Sequence, residues 1–433
     1  MISEVHAVTI STQNLGKARE IYETELGMKP LVEWKIDQNN SNLARLWDVK
    51  ENLSARCIWL NQPNARHGGV RLVEFQNANS KKITENARAY DFGYVKNLDF
   101  FTDEVEAAYQ RFVDAGHVFL SPPVTYEIAW GEGVTATEAH LPTAEGVKIS
   151  LARMNNVPRR VFGESSRETA FTEVAAATMI VENYDKSVDF YQTVFDCVPA
   201  AVTIVDAPEL IKTLKLPAKT KLRLSFIGHK KAVGGKIGIV AYEGDGVKDA
   251  KSLREQNNLP NLGVSILTFL TDELDYRHAL ALANDAIEIC PPSAIEMPLY
   301  GAVRASSFRS PDGILHELIQ KDSRKENFAP VLSIAELPVG SLRQINLPRL
   351  GRIVLANVNN QIFAIQDRCP HLNAPLSHGK LENCFLTCPW HGWQIDVTTG
   401  KVRQAESLQT RRFETKIVDN QICINVDSKS DER

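Results

Sequence analysis

The sequence predicts an α+β chain: two tandem copies of one domain, each built from paired βαβββ modules, followed by a small all-β unit. Three observations predict it. Segments of the first 320 residues recur at a constant spacing. Within each copy, short alternating strands enclose one amphipathic helix per half. Finally, Cys369, Cys384, Cys388 and Cys423 crowd into the last 65 residues, while Cys57, Cys197 and Cys290 are scattered.

The repetition is read from four matches. Glu4-Val5-His6-Ala7-Val8-Thr9 returns as Glu173-Val174-Ala175-Ala176-Ala177-Thr178, and Tyr22 returns as Tyr191. Phe100–Val105 returns as Phe269–Leu274, and Pro122-Pro123 as Pro291-Pro292; every offset is 169. A period this long is a duplicated domain, not a solenoid repeat. Within the first copy, Ala7–Ile10 reads as a strand. Leu15, Ala18, Ile21, Tyr22 and Leu26 form one apolar helical stripe closed by Gly27. Ala55–Leu60 and Val70–Phe75 read as strands. The second half restarts near Asn97–Phe101, continues with a helix over Glu104–Ala115, and ends in strands over Thr135–Leu141 and Val147–Ala152. The expected bounds are 1–155 and 170–322 for the copies and 329–428 for the last unit. The Pro- and Arg-rich stretch 155–170 and the polar run 322–327 serve as joints.

Composition narrows the class. The 433 residues carry 49 basic and 53 acidic side chains, a net −4, which argues against a nucleic-acid binder. No stretch approaches the ~18 apolar residues of a membrane span, and the first residues lack a basic, apolar leader. Seven cysteines are too few for a disulfide framework. The expectation is a cytoplasmic protein.

With these residues in view, the two copies resemble vicinal oxygen chelate (VOC) domains, the glyoxalase, bleomycin-resistance and extradiol-dioxygenase superfamily. The resemblance rests on Asn14-Leu15-Gly16-Lys17-Ala18 with Tyr22 and Leu26-Gly27-Met28. In the second copy it rests on Lys186–Tyr191 and Ser310-Pro311-Asp312-Gly313-Ile314-Leu315-His316-Glu317-Leu318. It covers about three quarters of the chain, and it implies a concave site where metal-dependent members hold a divalent ion. Alignment puts Ala7, Ala176, Asn97 and Ile266 at opening-strand ligand positions, and Ser150 and Glu317 at closing ones. Only Glu317 has ligand chemistry; His6 stands one residue off register and Glu74 lies near a closing strand. Both a metal-free cup and one holding a mononuclear Fe(II) or another divalent ion stay open. Trp130, Tyr126, Phe100, Tyr300 and Arg304 are candidate cup residues for a small organic ligand.

In the last unit, Cys369-Pro370-His371 precedes Cys388-Pro389-Trp390-His391 by sixteen intervening residues. This pair of half-sites resembles the Rieske family. The resemblance implies a 2Fe–2S cluster with Cys369 and Cys388 on one iron and His371 and His391 on the other. Neutral imidazoles replacing thiolates raise such a potential to roughly −150 to +300 mV, against about −400 mV for all-thiolate plant-type clusters. A zinc site, which uses the same residue types, usually has ligand pairs two to four residues apart. Neither loop carries the extra cysteine of high-potential respiratory Rieske proteins, so the sequence resembles the soluble ferredoxin and oxygenase type. Cys384 reads as a small buried hydrophobe. No GxGxxG motif follows a strand, so reducing equivalents are expected from another protein, with an external reductase or oxygenase as electron partner. Three functions follow as expectations: an electron-transfer oxidoreductase component whose VOC pair binds a small aromatic substrate or a partner; a ring-cleaving dioxygenase with a built-in reductant; and a redox-sensing binding protein.

Overall fold

The computed structural model describes residues 1–37, 41–49, 54–128, 132–156, 169–230, 232–321, 328–347, 350–418 and 420–426. The chain divides into two compact units, Met1–Lys321 and Asp322–Arg433. Most of the joint at 155–170, the run 322–327 and Trp130 lie outside the described residues.

In the first copy, the opening module holds β1 (Ala7–Ser11), α1 (Leu15–Arg19), β2 (Lys29–Ile36), α2 (Ser41–Leu46), β3 (Ala55–Asn61) and β4 (Gly69–Phe75). Its second module holds β5 (Tyr94–Phe101), α3 (Val105–Asp114), β6 (Val124–Glu127), β7 (Thr135–Pro142) and β8 (Lys148–Asn155). The second copy repeats the order with β9 (Ala176–Ile180), α4 (Tyr184–Phe195), β10 (Val198–Val205), α5 (Pro208–Thr213), β11 (Lys221–Gly228) and β12 (Lys236–Glu243). It ends with β13 (Gly263–Leu270), α6 (Leu274–Leu282), β14 (Ile287–Met297), β15 (Gly301–Arg309) and β16 (Leu315–Lys321).

Local chemistry explains the boundaries. Asn14 and Asn183 cap α1 and α4, each side chain accepting the backbone N–H three residues on. The predicted stripe from Leu15 to Leu26 is one helix whose second half, Glu20–Glu25, widens to a π-turn. Gly27 ends it at φ +73°, where an L side chain would be strained.

Two curled eight-stranded sheets result, in the orders β14-β15-β16-β13-β1-β4-β3-β2 and β10-β11-β12-β9-β5-β8-β7-β6. Neither copy builds a sheet by itself. β1 pairs antiparallel with β13, and β5 with β9, so each sheet takes one module from each copy. A ligand set assembled copy by copy therefore groups the wrong strands: His6 and Glu317, assigned to different copies, belong to one sheet. Four helices cover the other faces. Their Leu15, Tyr22, Phe112, Val188, Tyr191 and Leu274 join strand residues such as Val8, Leu98, Ile239 and Leu318 in one core.

The second unit is all β. Gly351–Val358 pairs with Gln361–Gln366, and a five-stranded sheet contains the hairpin of Phe385–Thr387 and Gln394–Asp396. Among the described residues no helix is long and apolar enough to cross a membrane.

Candidate functional site

Two loops of the second unit carry the predicted cluster ligands, and they are built alike. The Cys369 N–H donates to Ala374 O at 2.9 Å, and the Asn373 N–H returns to Cys369 O at 2.8 Å. In the other loop the Cys388 N–H donates to Trp393 O at 2.7 Å, and the Gly392 N–H to Cys388 O at 3.0 Å. The fourth residue after each cysteine is left-handed, Asn373 at φ +61° and Gly392 at φ +71°. Asparagine and glycine are the residues that enter this region most readily. Buried Asp367 braces the first loop, accepting from the Ser377 N–H at 2.7 Å and its hydroxyl at 2.9 Å.

The loops separate their ligands by depth. Cys369 and Cys388 are buried in a cluster with Ala374, Leu376, Leu386 and Ile395. Burial pushes the Cys369 thiol up, and neighbouring Cys388 adds to this, while the backbone N–H groups of His371 and Leu372 pull it back. His371 and His391 sit at the exposed end, ring centroids 4.7 Å apart and nearly perpendicular. Trp393 stacks on His371 at 4.3 Å and 18°. Paired buried thiols aided by N–H donors, beside paired exposed imidazoles, fit a two-iron cluster in which each iron takes two protein ligands. Cys384 is half-buried, less enclosed than expected.

Comparison with known proteins agrees. The Rieske [2Fe-2S] domain family matches residues 327–419, and through this unit the chain belongs to that family. The anthranilate 1,2-dioxygenase ferredoxin subunit of Burkholderia cepacia is 35% identical over 75 residues, covering 17% of this chain and 69% of that protein. Apoptosis-inducing factor 3 of Mus musculus is 29% identical over 103 residues, covering 24% of this chain; the chain spans only 17% of that relative's length. Among solved structures, a glyoxalase I mutant from Zea mays aligns with 74% of this chain and 92% of its own, at 13% identity and TM-score 0.49. The unit at 327–419 is therefore a Rieske domain, and its cofactor is a Rieske 2Fe–2S cluster. Cys369, Cys388, His371 and His391 are the residues that would hold it.

The first cup, formed by β1–β4 and β13–β16, answers the question of a mononuclear metal. Glu317 is fully buried on β16. Its carboxylate accepts from Arg71 Nη2 at 3.0 Å, Thr268 Oγ1 at 2.6 Å and the Trp47 indole at 2.7 Å. Arg71 Nε donates in turn to Thr9 Oγ1 at 2.8 Å, and the guanidinium lies 4.4 Å from the Trp47 ring centroid. The carboxylate's positive partner is thus a side chain of the protein. Ala7 and Ile266 offer no donor atom, and Glu74 faces away, pairing with Arg56 and accepting the Leu15 N–H at 3.4 Å. His6 does reach the cup rim, where its Nε2 pairs with the Tyr300 hydroxyl and its ring lies 5.7 Å from Trp59. Burial, with Lys321 nearby, lowers its pKa to about 3. Among the described residues no three His, Cys, Asp or Glu side chains gather round one ion. These residues do not fit a mononuclear metal.

The other candidates scatter. Phe100 packs in the helix-covered core, Arg304 pairs with Asp275 at the surface, and Tyr126 lines the second cup. His316 sits between Phe269 and Phe308, and His229 and His278 pair with Glu4 and Glu288. Arg71 and Trp47 escaped sequence reading. The available signal was a lone arginine inside the apolar run Val70-Arg71-Leu72-Val73.

Proposed function

We propose that this chain is an electron-transfer component of an oxidoreductase system, with the Rieske unit carrying single electrons and the VOC-like unit binding a small organic, aromatic molecule. The observation that carries the reading is the matched pair of cysteine loops presenting two imidazoles at the surface. When bound, the cluster accepts and releases one electron. The chain's part is to fix the geometry: buried Cys369 and Cys388 sit away from water, while His371 and His391 face an incoming partner. Exposed Leu372 (54%) and Trp390 (64%) flank them on the same loops. The resemblance to a dioxygenase ferredoxin subunit supports an external reductase or an oxygenase as that partner. The five cysteines outside the two half-sites are free thiols, which suit a reducing, cytoplasmic setting. The first cup's internal ion pair weighs against the ring-cleaving alternative, which needs a third iron.

Anaerobically purified protein is expected to be red-brown, to contain two irons per chain, and to give the EPR signal of a nitrogen-ligated cluster after dithionite. Cys388→Ser removes that signal. Three irons per chain would instead support the dioxygenase reading, and an iron-free colourless protein would end the electron-transfer one.

A further inference from the structure

The two cysteine–histidine loops carry more apolar surface and more positive charge than their own packing uses. The second loop shows this in its two indoles. Trp393 faces inward: it packs against the buried cluster around Cys369 and Cys388, and its ring stacks on His371. Trp390, three residues earlier, does the opposite. It is 64% exposed, and its ring centroid lies 6.2 Å from that of His391 at 68°, beside the imidazole and not stacked on it. On the first loop Leu372 follows His371 and is also exposed. Each exposed imidazole thus has a large exposed apolar neighbour in the chain. Scattered apolar residues on a surface are ordinary, but a tryptophan and a leucine flanking one pair of imidazoles have the composition of an interface centre.

The charge around them has one sign. From Arg368 to Leu381, and again from Asn383 to Ile395, the chain contains no aspartate or glutamate. Arg368 lies along the first loop, its Nε donating to Asn373 Oδ1 at 2.6 Å. Arg403 stands at the base of the second, its N–H donating to Gln394 O at 2.8 Å and its Nη1 to Gln394 Oε1 at 3.0 Å. Both arginines are exposed, and neither pairs with a carboxylate among the described residues. Asp367, next to Arg368 in the chain, is buried and holds Ser377 instead. Lys380 is the exception, paired with Glu382 at 2.6 Å. On the first unit, by contrast, surface arginines answer carboxylates of their own chain, as Arg153 does Glu106, Arg223 Asp185 and Arg304 Asp275.

We propose that this end of the second unit docks a redox protein whose own face is acidic, with carboxylates around an apolar centre. The inference rests on the proposed electron-transfer role and adds the chemistry of the partner. Trp390 and Leu372 supply the water-excluding contact that brings the imidazoles close, and Arg368 and Arg403 supply steering and orientation. A basic partner would find no carboxylate on either loop.

Stopped-flow oxidation of the dithionite-reduced holoprotein tests it with two acceptors that each take one electron, acidic plastocyanin and basic cytochrome c. The rate with plastocyanin is expected to fall about tenfold from low to high salt, as the arginines are screened, and the rate with cytochrome c to rise. The double variant Arg368→Gln, Arg403→Gln should lose about tenfold with plastocyanin at low salt and little at high salt. Trp390→Ala should lose about tenfold at both, because an apolar contact is not screened. A plastocyanin rate that is flat or rises with salt, or that the double variant leaves unchanged, overturns the assignment. Sedimentation of the holoprotein with phosphatidylserine vesicles overturns it too, giving the patch to a lipid surface. If the double variant loses its EPR signal, the salt dependence of the unaltered protein decides alone. A holoprotein that reduces both acceptors with the opposite salt trends refutes the acidic partner and leaves electron transfer standing; a protein that binds no cluster refutes electron transfer itself.

Discussion

At position 71 a guanidinium meets a carboxylate with almost no water beside either: the Arg71 and Glu317 side chains are 1% and 0% exposed. Such a pair adds little net stability over well-packed apolar residues, yet removing one member strands the other charge and costs roughly 3–5 kcal/mol. Glu317→Gln is therefore expected to destabilise the first unit by about that amount, because Arg71 keeps its charge and loses its counter-ion. The double variant Arg71→Met, Glu317→Gln should recover most of the loss. Urea unfolding of the four proteins measures the coupling. Purely additive losses would mean that Arg71 serves Thr9 and Trp47 rather than Glu317.

Strands and helices show what alternation does to a buried titratable group. On β16, Glu317 faces the cup while adjacent His316 faces the helices, its ring stacked on Phe308 at 4° and accepting from the Tyr191 hydroxyl at 3.1 Å. Burial lowers His316 from 6.5 to about 3. The sign follows from a depressed folded value: stability is fully present above pH 6.5 and is lost as pH falls toward 3. By pH 4.5 the loss reaches about 2–3 kcal/mol, at 1.36 kcal/mol per pH unit. His316→Gln, which cannot protonate, should lose correspondingly less between pH 7 and pH 4.5 in chemical denaturation. An identical slope in both proteins would show that His316 is not the acid-sensitive group. The same strand reading found β1, β3 to β5, β7 and β8, and the apolar stripe closed by Gly27 made the first helix readable. The cup contents were not readable. Which side chain completes Glu317 depends on the pairing of β1 with β13, about 260 residues away, and no local pattern encodes that. The two cysteine–histidine loops were legible because both members of each half-site lie within three residues, on a loop that brings its own turn residues.

Across the whole molecule, the interleaved sheets make the two copies mutually dependent. Within residues 1–155, β1 and β5 are each the edge where a module expects its counterpart, and those counterparts, β13 and β9, come from the other copy. An isolated first copy would expose two unpaired strand edges, which seek another chain. The duplication suggests what they would find. β5 occupies in the first copy the place β13 occupies in the second, so β1 of one fragment can pair with β5 of another, and a symmetric pair closes both sheets. A fragment of residues 1–155 is expected to run as a dimer in light scattering, or to aggregate, and adding the second copy in the same chain should abolish self-association. A cooperatively folded monomer of that fragment would mean that the module-to-module pairing can close within one copy, and that the exchange seen here is a choice made by the linker rather than by the strands.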